Sequence, residues 1–201
     1  MRTLVLVSGN GTNLQALIDA EKAGGLGPAR IIGVISDRPG AFALERARRA
    51  GITGYTEAPL GGLPKPERAG ELSGRILRIA REERADLIVL AGFLSILAGD
   101  ILDAYRGRIV NLHPSLLPRF GGPGMYGERV HRAVLDAGAP ESGCTVHLVD
   151  RGVDTGPVLL QRRVPVLAGD DPASLAERIH REEHIALVEA VAMLAEKAER
   201  A

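Results

Sequence analysis

The sequence predicts one α/β domain spanning residues 1–201. It has an open, mainly parallel sheet with helices on both faces, an antiparallel strand addition towards the C-terminus and a long final helix. Three observations predict it. Short apolar, β-branched runs alternate with amphipathic stretches, the rhythm of strand–helix–strand units whose right-handed crossovers give parallel pairing. The first run, Thr3 to Val7, is rich in Val and Leu without polar alternation, as suits a strand covered on both faces. In the last third the rhythm changes to two strands close together, then one long helix. Together these describe a Rossmann-like domain with an antiparallel extension.

Taken in order, Thr3 to Val7 is the first strand and Gly9 to Asn13 a turn; Leu14, Leu17 and Ile18 then carry helical spacing up to Gly24. Ile31 to Ile35 reads as the second strand and Phe42 to Ala50 as a helix closed by Gly51. Ile52 to Thr56 is a short strand, and Ala58 to Pro66 a loop rich in Pro and Gly. Glu67 to Arg84 keeps a helical pattern despite Gly70 and Gly74. Asp86 to Ala91 and Arg108 to Asn111 are strands. Leu116 to Gly127 is a long loop and Glu128 to Ala137 a helix. Cys144 to Val149 and Val158 to Val166 are strands joined by a hairpin-like return through Asp150 to Pro157. Pro172 to Glu199 is an amphipathic helix, capped by Asp170 or Asp171 with Pro172 in its first turn.

Composition narrows the function. Basic and acidic residues number 25 each, so the formal charge is zero and a general nucleic-acid binder is not expected. A small anion held by a few local groups is still compatible. The single cysteine, Cys144, allows no intrachain disulfide and no cysteine-based zinc site. Met1 to Ser8 is too short for a secretion signal or a membrane span, so a cytoplasmic protein without membrane partners is expected.

Four segments carry chemistry. Ser8-Gly9-Asn10-Gly11-Thr12-Asn13 follows a buried strand and opens a helix, where backbone N–H groups and the helix dipole favour an anion. A dinucleotide fingerprint would need glycine where Leu14 stands, although Asp37 could mimic its ribose-binding acid; a single phosphate is the better fit. Asn111-Leu112-His113-Pro114-Ser115 ends a strand of the sheet interior. Its period of two puts Asn111 and His113 on one face, able to polarise a carbonyl and stabilise an oxyanion. Asp150 to Pro157 holds two acids in one tight loop, either of which could orient a histidine or relay a proton; spacing does not choose between Asp150 and Asp154. Gly92 to Leu97 is either an apolar lip for a flat heterocycle or a buried helix start.

Two tempting patterns count for little. His180-Arg181-Glu182-Glu183-His184 matches an inverted zinc-peptidase motif, but nothing supplies a third ligand, so no metal is expected. Cys144 and His147 are separated by an odd interval along a strand and should face opposite ways, which makes Cys144 a buried apolar residue.

Together the segments SGNGTNLQALIDA, LAGFLSIL, NLHPSLLP, GCTVHLVDRGVDTGPVLLQ and REEH resemble the folate-dependent formyltransferases, the phosphoribosylglycinamide formyltransferases above all, from Leu4 to Val188. The resemblance implies formyl transfer from 10-formyltetrahydrofolate to the amine of glycinamide ribonucleotide by direct attack, without metal. It implies that Asn111, His113 and Asp154 are catalytic. It implies that Gly11, Thr12 and Asn13 bind the substrate phosphate, with His180 and Glu183 as further substrate-binding groups. Leu94, Ser95, Ile96 and Leu97, together with Asn111 and Lys65, would then bind the folate. Many relatives carry Arg where Ser95 stands, and the glycine-rich segment Phe120 to Tyr126 also departs from the better-known pattern. A homodimer is left open. Methionyl-tRNA formyltransferase and formyltetrahydrofolate deformylase share the Asn, His and Asp but are expected to carry an additional domain. A non-catalytic nucleotide-binding module would leave NLHPS and the Asp154 loop without purpose.

Overall fold

The structure is a computed structural model and describes residues 1–200. In chain order the elements are β1 (Arg2–Val7), α1 (Thr12–Lys22), β2 (Arg30–Ser36), α2 (Phe42–Arg49), β3 (Gly54–Thr56), α3 (Lys65–Glu82) and β4 (Leu87–Leu90). Then follow α4 (Asp100–Ala104), β5 (Ile109–His113), α5 (Glu128–Asp136), β6 (Glu141–Leu148), β7 (Val158–Pro165) and α6 (Pro172–Glu199). One seven-stranded sheet has the order β3-β2-β1-β4-β5-β6-β7. The pairs from β3 to β5 are parallel, whereas β5–β6 and β6–β7 are antiparallel.

Strand periodicity sorts the core into two layers. Val5, Val7, Val34, Val89, Val110 and Val146 face α1, α2 and α6. Leu4, Leu6, Ile35, Ile88, Leu90 and Ile109 face α3 and α4. Adjacent residues of one strand thus enter opposite layers, which is why the central strands are apolar without interruption. Among the described residues no helix is long and apolar enough to cross a membrane.

Some boundaries differ from the sequence reading. The segment Gly92 to Leu97 is loop and not a helix start: Phe93 and Leu97 are buried while Leu94 and Ile96 are exposed. The short helix α4 carries no strong sequence signal and follows Gly99, whose φ of 72° breaks the chain direction. β5 runs on through His113, and β6 begins at Glu141, earlier than the apolar run suggests. β6 gains those residues because β7 pairs with it from Glu141 onwards. At α6, Asp171 is the cap: it accepts from the Ser174 amide at 2.8 Å, and the Ser174 hydroxyl accepts in return from the Asp171 amide.

Candidate active site

The sheet order reverses direction at β1: β2 and β3 lie to one side and β4 and β5 to the other. Ligands of open α/β sheets bind outside the strand C-termini at such a switch point. A cavity of about 730 Å³ lies there, lined by the ends of β4 and β5, the loops that follow them and the first turns of α6.

At one end of the cavity the chain turns from β1 into α1 through Gly11, which holds a left-handed φ of 74° as the N-cap and leaves the first turn of α1 without a side-chain cap. Arg46 braces this turn from α2, donating from Nε to the Asn10 carbonyl at 2.8 Å and from Nη1 to Gln15 Oε1 at 3.1 Å. Asn13, the last residue of the motif, points its amide at Glu183 of α6, donating to Oε2 at 3.3 Å. His180 reaches the same oxygen through Nδ1 at 2.6 Å. That hydrogen bond raises the His180 pKa, and the charge of Glu183 adds to the effect while burial opposes it. The structure therefore brings Asn13, His180 and Glu183 into one polar group, 170 residues apart in the chain at its extremes.

At the other end the β5 residues Asn111 and His113 meet Asp154. One Asp154 oxygen lies 3.4 Å from His113 Nδ1 and accepts from the Gly122 amide at 3.0 Å; the other lies 3.5 Å from Asn111 Nδ2 and 3.6 Å from His147 Nε2. Burial works to raise the Asp154 pKa, but the side chain of His147, the charge of His113 and the Gly122 amide together hold it below the usual carboxylate value. His113 moves the other way from a simple ion-pair expectation. Burial pushes its pKa below 6.5, and the attraction of Asp154 does not fully restore it. The Phe120 carbonyl, 2.8 Å from Nε2, can only accept, so Nε2 carries the proton and Nδ1 faces the carboxylate.

Asp150 does something else. Its Oδ1 accepts from the Gly152 amide at 3.0 Å and from the Thr155 hydroxyl at 2.6 Å, which closes the turn that presents Asp154. Among the two acids that spacing could not separate, Asp154 is the one beside the histidines.

A model of the formyl transferase family matches residues 1–191. The chain belongs to this family. It is 41% identical over 184 residues to phosphoribosylglycinamide formyltransferase of Escherichia coli K12, covering 92% of this chain and 82% of that protein. It is 45% identical over 194 residues to the trifunctional purine biosynthetic protein adenosine-3 of Drosophila melanogaster, covering 96% of this chain but 14% of that protein. The chain thus spans a small part of the length of that relative. Among solved structures it superposes on glycinamide ribonucleotide transformylase 1 of Symbiobacterium toebii with a TM-score of 0.89 and 42% identity, covering 98% of this chain and 88% of the other.

The family's motif segments converge on the cavity with some exceptions. Leu94, Ser95, Ile96 and Leu97 form part of its wall, Leu94 and Ile96 making an exposed apolar rim. Ser95 donates to Asp37 Oδ2 at 2.6 Å, so the acid that could have mimicked a ribose ligand is engaged by the lip instead. Lys65 is not brought to the wall: it is the exposed first residue of α3. Of the motif's last three residues only Asn13 lines the cavity; Gly11 and Thr12 do not. Among the described residues no group of three His, Cys, Asp or Glu side chains is placed to hold a metal ion.

Two histidines of the site escaped the sequence reading. His147 faces Asn111 across the antiparallel β5–β6 pair, 3.1 Å from its amide nitrogen. His147 Nδ1 donates to the Leu148 carbonyl at 2.9 Å, which leaves Nε2 to accept from Asn111. Only the strand register places it there; the sequence signal was limited to its parity opposite Cys144, which is fully buried in the core. His131 on α5 also lines the cavity, and nothing in its local sequence marks it.

Proposed function

We propose that the chain transfers the formyl group of 10-formyltetrahydrofolate to the amine of glycinamide ribonucleotide. The observation that carries this reading is the meeting of Asn111, His113 and Asp154 at one end of a cavity whose other end presents Asn13, His180 and Glu183 beside an uncapped helix start. Likeness to proteins named phosphoribosylglycinamide formyltransferase supports it.

In this reading the uncapped N–H groups at the start of α1 receive the phosphate. The apolar rim of Leu94 and Ile96 takes the flat heterocycle of the formyl donor. The amine attacks the formyl carbon, forming a carbon–nitrogen bond and pushing the carbonyl electrons onto oxygen. Asn111 stabilises that oxyanion with the N–H now directed at Asp154, a 3.5 Å contact weak enough to be exchanged. Negative charge growing beside His113 raises its proton affinity when it is needed, which offsets the effect of burial. Asp154 takes the proton released by the amine and passes it to the donor nitrogen as the collapsing adduct breaks its bond to that nitrogen. The carboxylate is held in its charged form, ready to accept.

The test is a formyl-transfer assay with both substrates. Asn111→Ala and His113→Ala should each lower kcat by about 100- to 1,000-fold while leaving the fold intact. Folded variants that retain nearly the full rate would overturn the assignment.

A further inference from the structure

We propose that His131 is an additional substrate-binding residue, its Nε2–H donating to an oxygen of the ribosyl-glycinamide part of the amine substrate. This rests on the functional reading above and names a contact that reading does not contain.

His131 sits on α5, which packs against α6, and its ring lines the cavity although the residue is only 3% exposed. Among the described residues Nδ1 is buried without any partner. Nε2 makes no hydrogen bond to another described residue, and the ring lines the cavity. A ring nitrogen buried without a partner costs free energy that an apolar residue of similar size would not. A hydrogen bond from Nε2 to a ligand would offset that cost.

The chemistry of that ligand follows from the ring. A bare acceptor tolerates burial without a partner better than an N–H does, so the proton belongs on Nε2 and the cavity meets a donor. Burial holds the ring below the usual histidine pKa, with the nearby charge of Glu183 opposing, which keeps it neutral with a single N–H. It therefore suits a neutral oxygen acceptor better than a phosphate. Its charged and titratable neighbours are Glu183 and His180 on α6, Glu128 on its own helix and His113 on β5. It thus neighbours His113 of the catalytic group as well as Glu183 and His180, so the part of the nucleotide between phosphate and amine would pass it.

Side-chain reach makes the idea testable. Glutamine can place an N–H close to the position of Nε2, asparagine only close to that of Nδ1, and leucine fills space without a donor. His131→Leu and His131→Asn should raise KM for glycinamide ribonucleotide by roughly three- to tenfold, the range of one neutral hydrogen bond. KM for the formyl donor and kcat should stay near wild type, and His131→Gln should restore most of the loss. An unchanged KM in a folded leucine variant would overturn the proposal, as would a glutamine variant no better than leucine or equal weakening of both substrates. Ring-nitrogen NMR of the wild-type protein avoids any folding defect: titrating glycinamide ribonucleotide should shift His131 Nε2, and no shift at saturation would overturn the contact. Should the wild type bind the ribonucleotide and shift this signal yet transfer no formyl group, the functional reading fails and the contact stands.

Discussion

At the scale of single residues, the site separates side chains that look equivalent in sequence. Asp150 and Asp154 flank the same glycine, but one closes the turn and the other faces two histidines. Asp154→Asn should therefore lower kcat by about 100- to 10,000-fold, the usual worth of a proton acceptor, while Asp150→Asn stays active. Titrating the His113 ring by NMR adds an independent check. The charge of Asp154 raises the His113 pKa against burial, so Asp154→Asn should lower it further; a rise would show that the carboxylate does not act on that ring. Gly11 is packed against α2. A Cβ there would meet Ala43 of α2, 2.6 Å from its Cβ, and not the cavity. A side chain at Gly11 would thus part the turn from α2 and strain its positive φ, disturbing the proposed phosphate site indirectly.

Among the elements, loops held by the strand ends do the positioning. The return from β6 to β7 carries Asp154, itself at a φ of 57°, and Gly156 fits it against β6. A Cβ on Gly156 would lie 1.9 Å from the Leu148 carbonyl oxygen, which belongs to the backbone and cannot swing aside. Gly156→Ala should therefore move the return away from β6 and draw Asp154 off the histidines. The expected cost is about 100-fold in kcat, as for a displacement near 1 Å, with smaller changes in either KM. Steady-state kinetics on the folded variant check this, and an unchanged kcat would mean that the loop absorbs the side chain. The segment before α5 is held by the same residue: the Gly122 amide donates to Asp154 at 3.0 Å, so the acid anchors one wall of the cavity as well as facing its chemistry.

Across the whole molecule, two layers of helices on one sheet make the core, and Ile88 lies at its centre on β4, fully buried. Ile88→Ala should cost about 2–5 kcal/mol in denaturant unfolding, through lost burial and the cavity left behind. Acid should also destabilise the fold. His113, His131 and His184 are held by burial below 6.5, so between that value and their folded values the unfolded chain binds protons that the folded one refuses. Their stabilisation is present above 6.5 and is lost as pH falls. His180 runs the opposite way: its pairing with Glu183 stabilises fully below 6.5 and fades as pH rises through its raised value. Its side chain is 53% exposed and screened, whereas His113 and His131 are almost wholly buried, so the buried pair should dominate. Thermal unfolding midpoints should drop between about pH 7 and about pH 5; a rise would show that the His180–Glu183 pair outweighs them.

The alternation of apolar runs and amphipathic stretches determined, by itself, the α/β class, nearly every element and the strand ends on which Asn111 and His113 lie. These follow from local periodicity, because burial on one face or two leaves its mark on neighbouring residues of the same segment. The motif segments also sufficed to mark Asn13, Glu183 and Asp154 by resemblance. What only the tertiary structure decided concerns partners far apart in the chain. The antiparallel register brings His147 to Asn111, the docking of α6 brings Glu183 to Asn13, and the packing of α5 turns His131 to the cavity. It also left Lys65 exposed at the start of α3 and tied Ser95 to Asp37. Even the sign of the His113 shift was decided there, since burial outweighs the neighbouring carboxylate and burial is a property of the assembled fold.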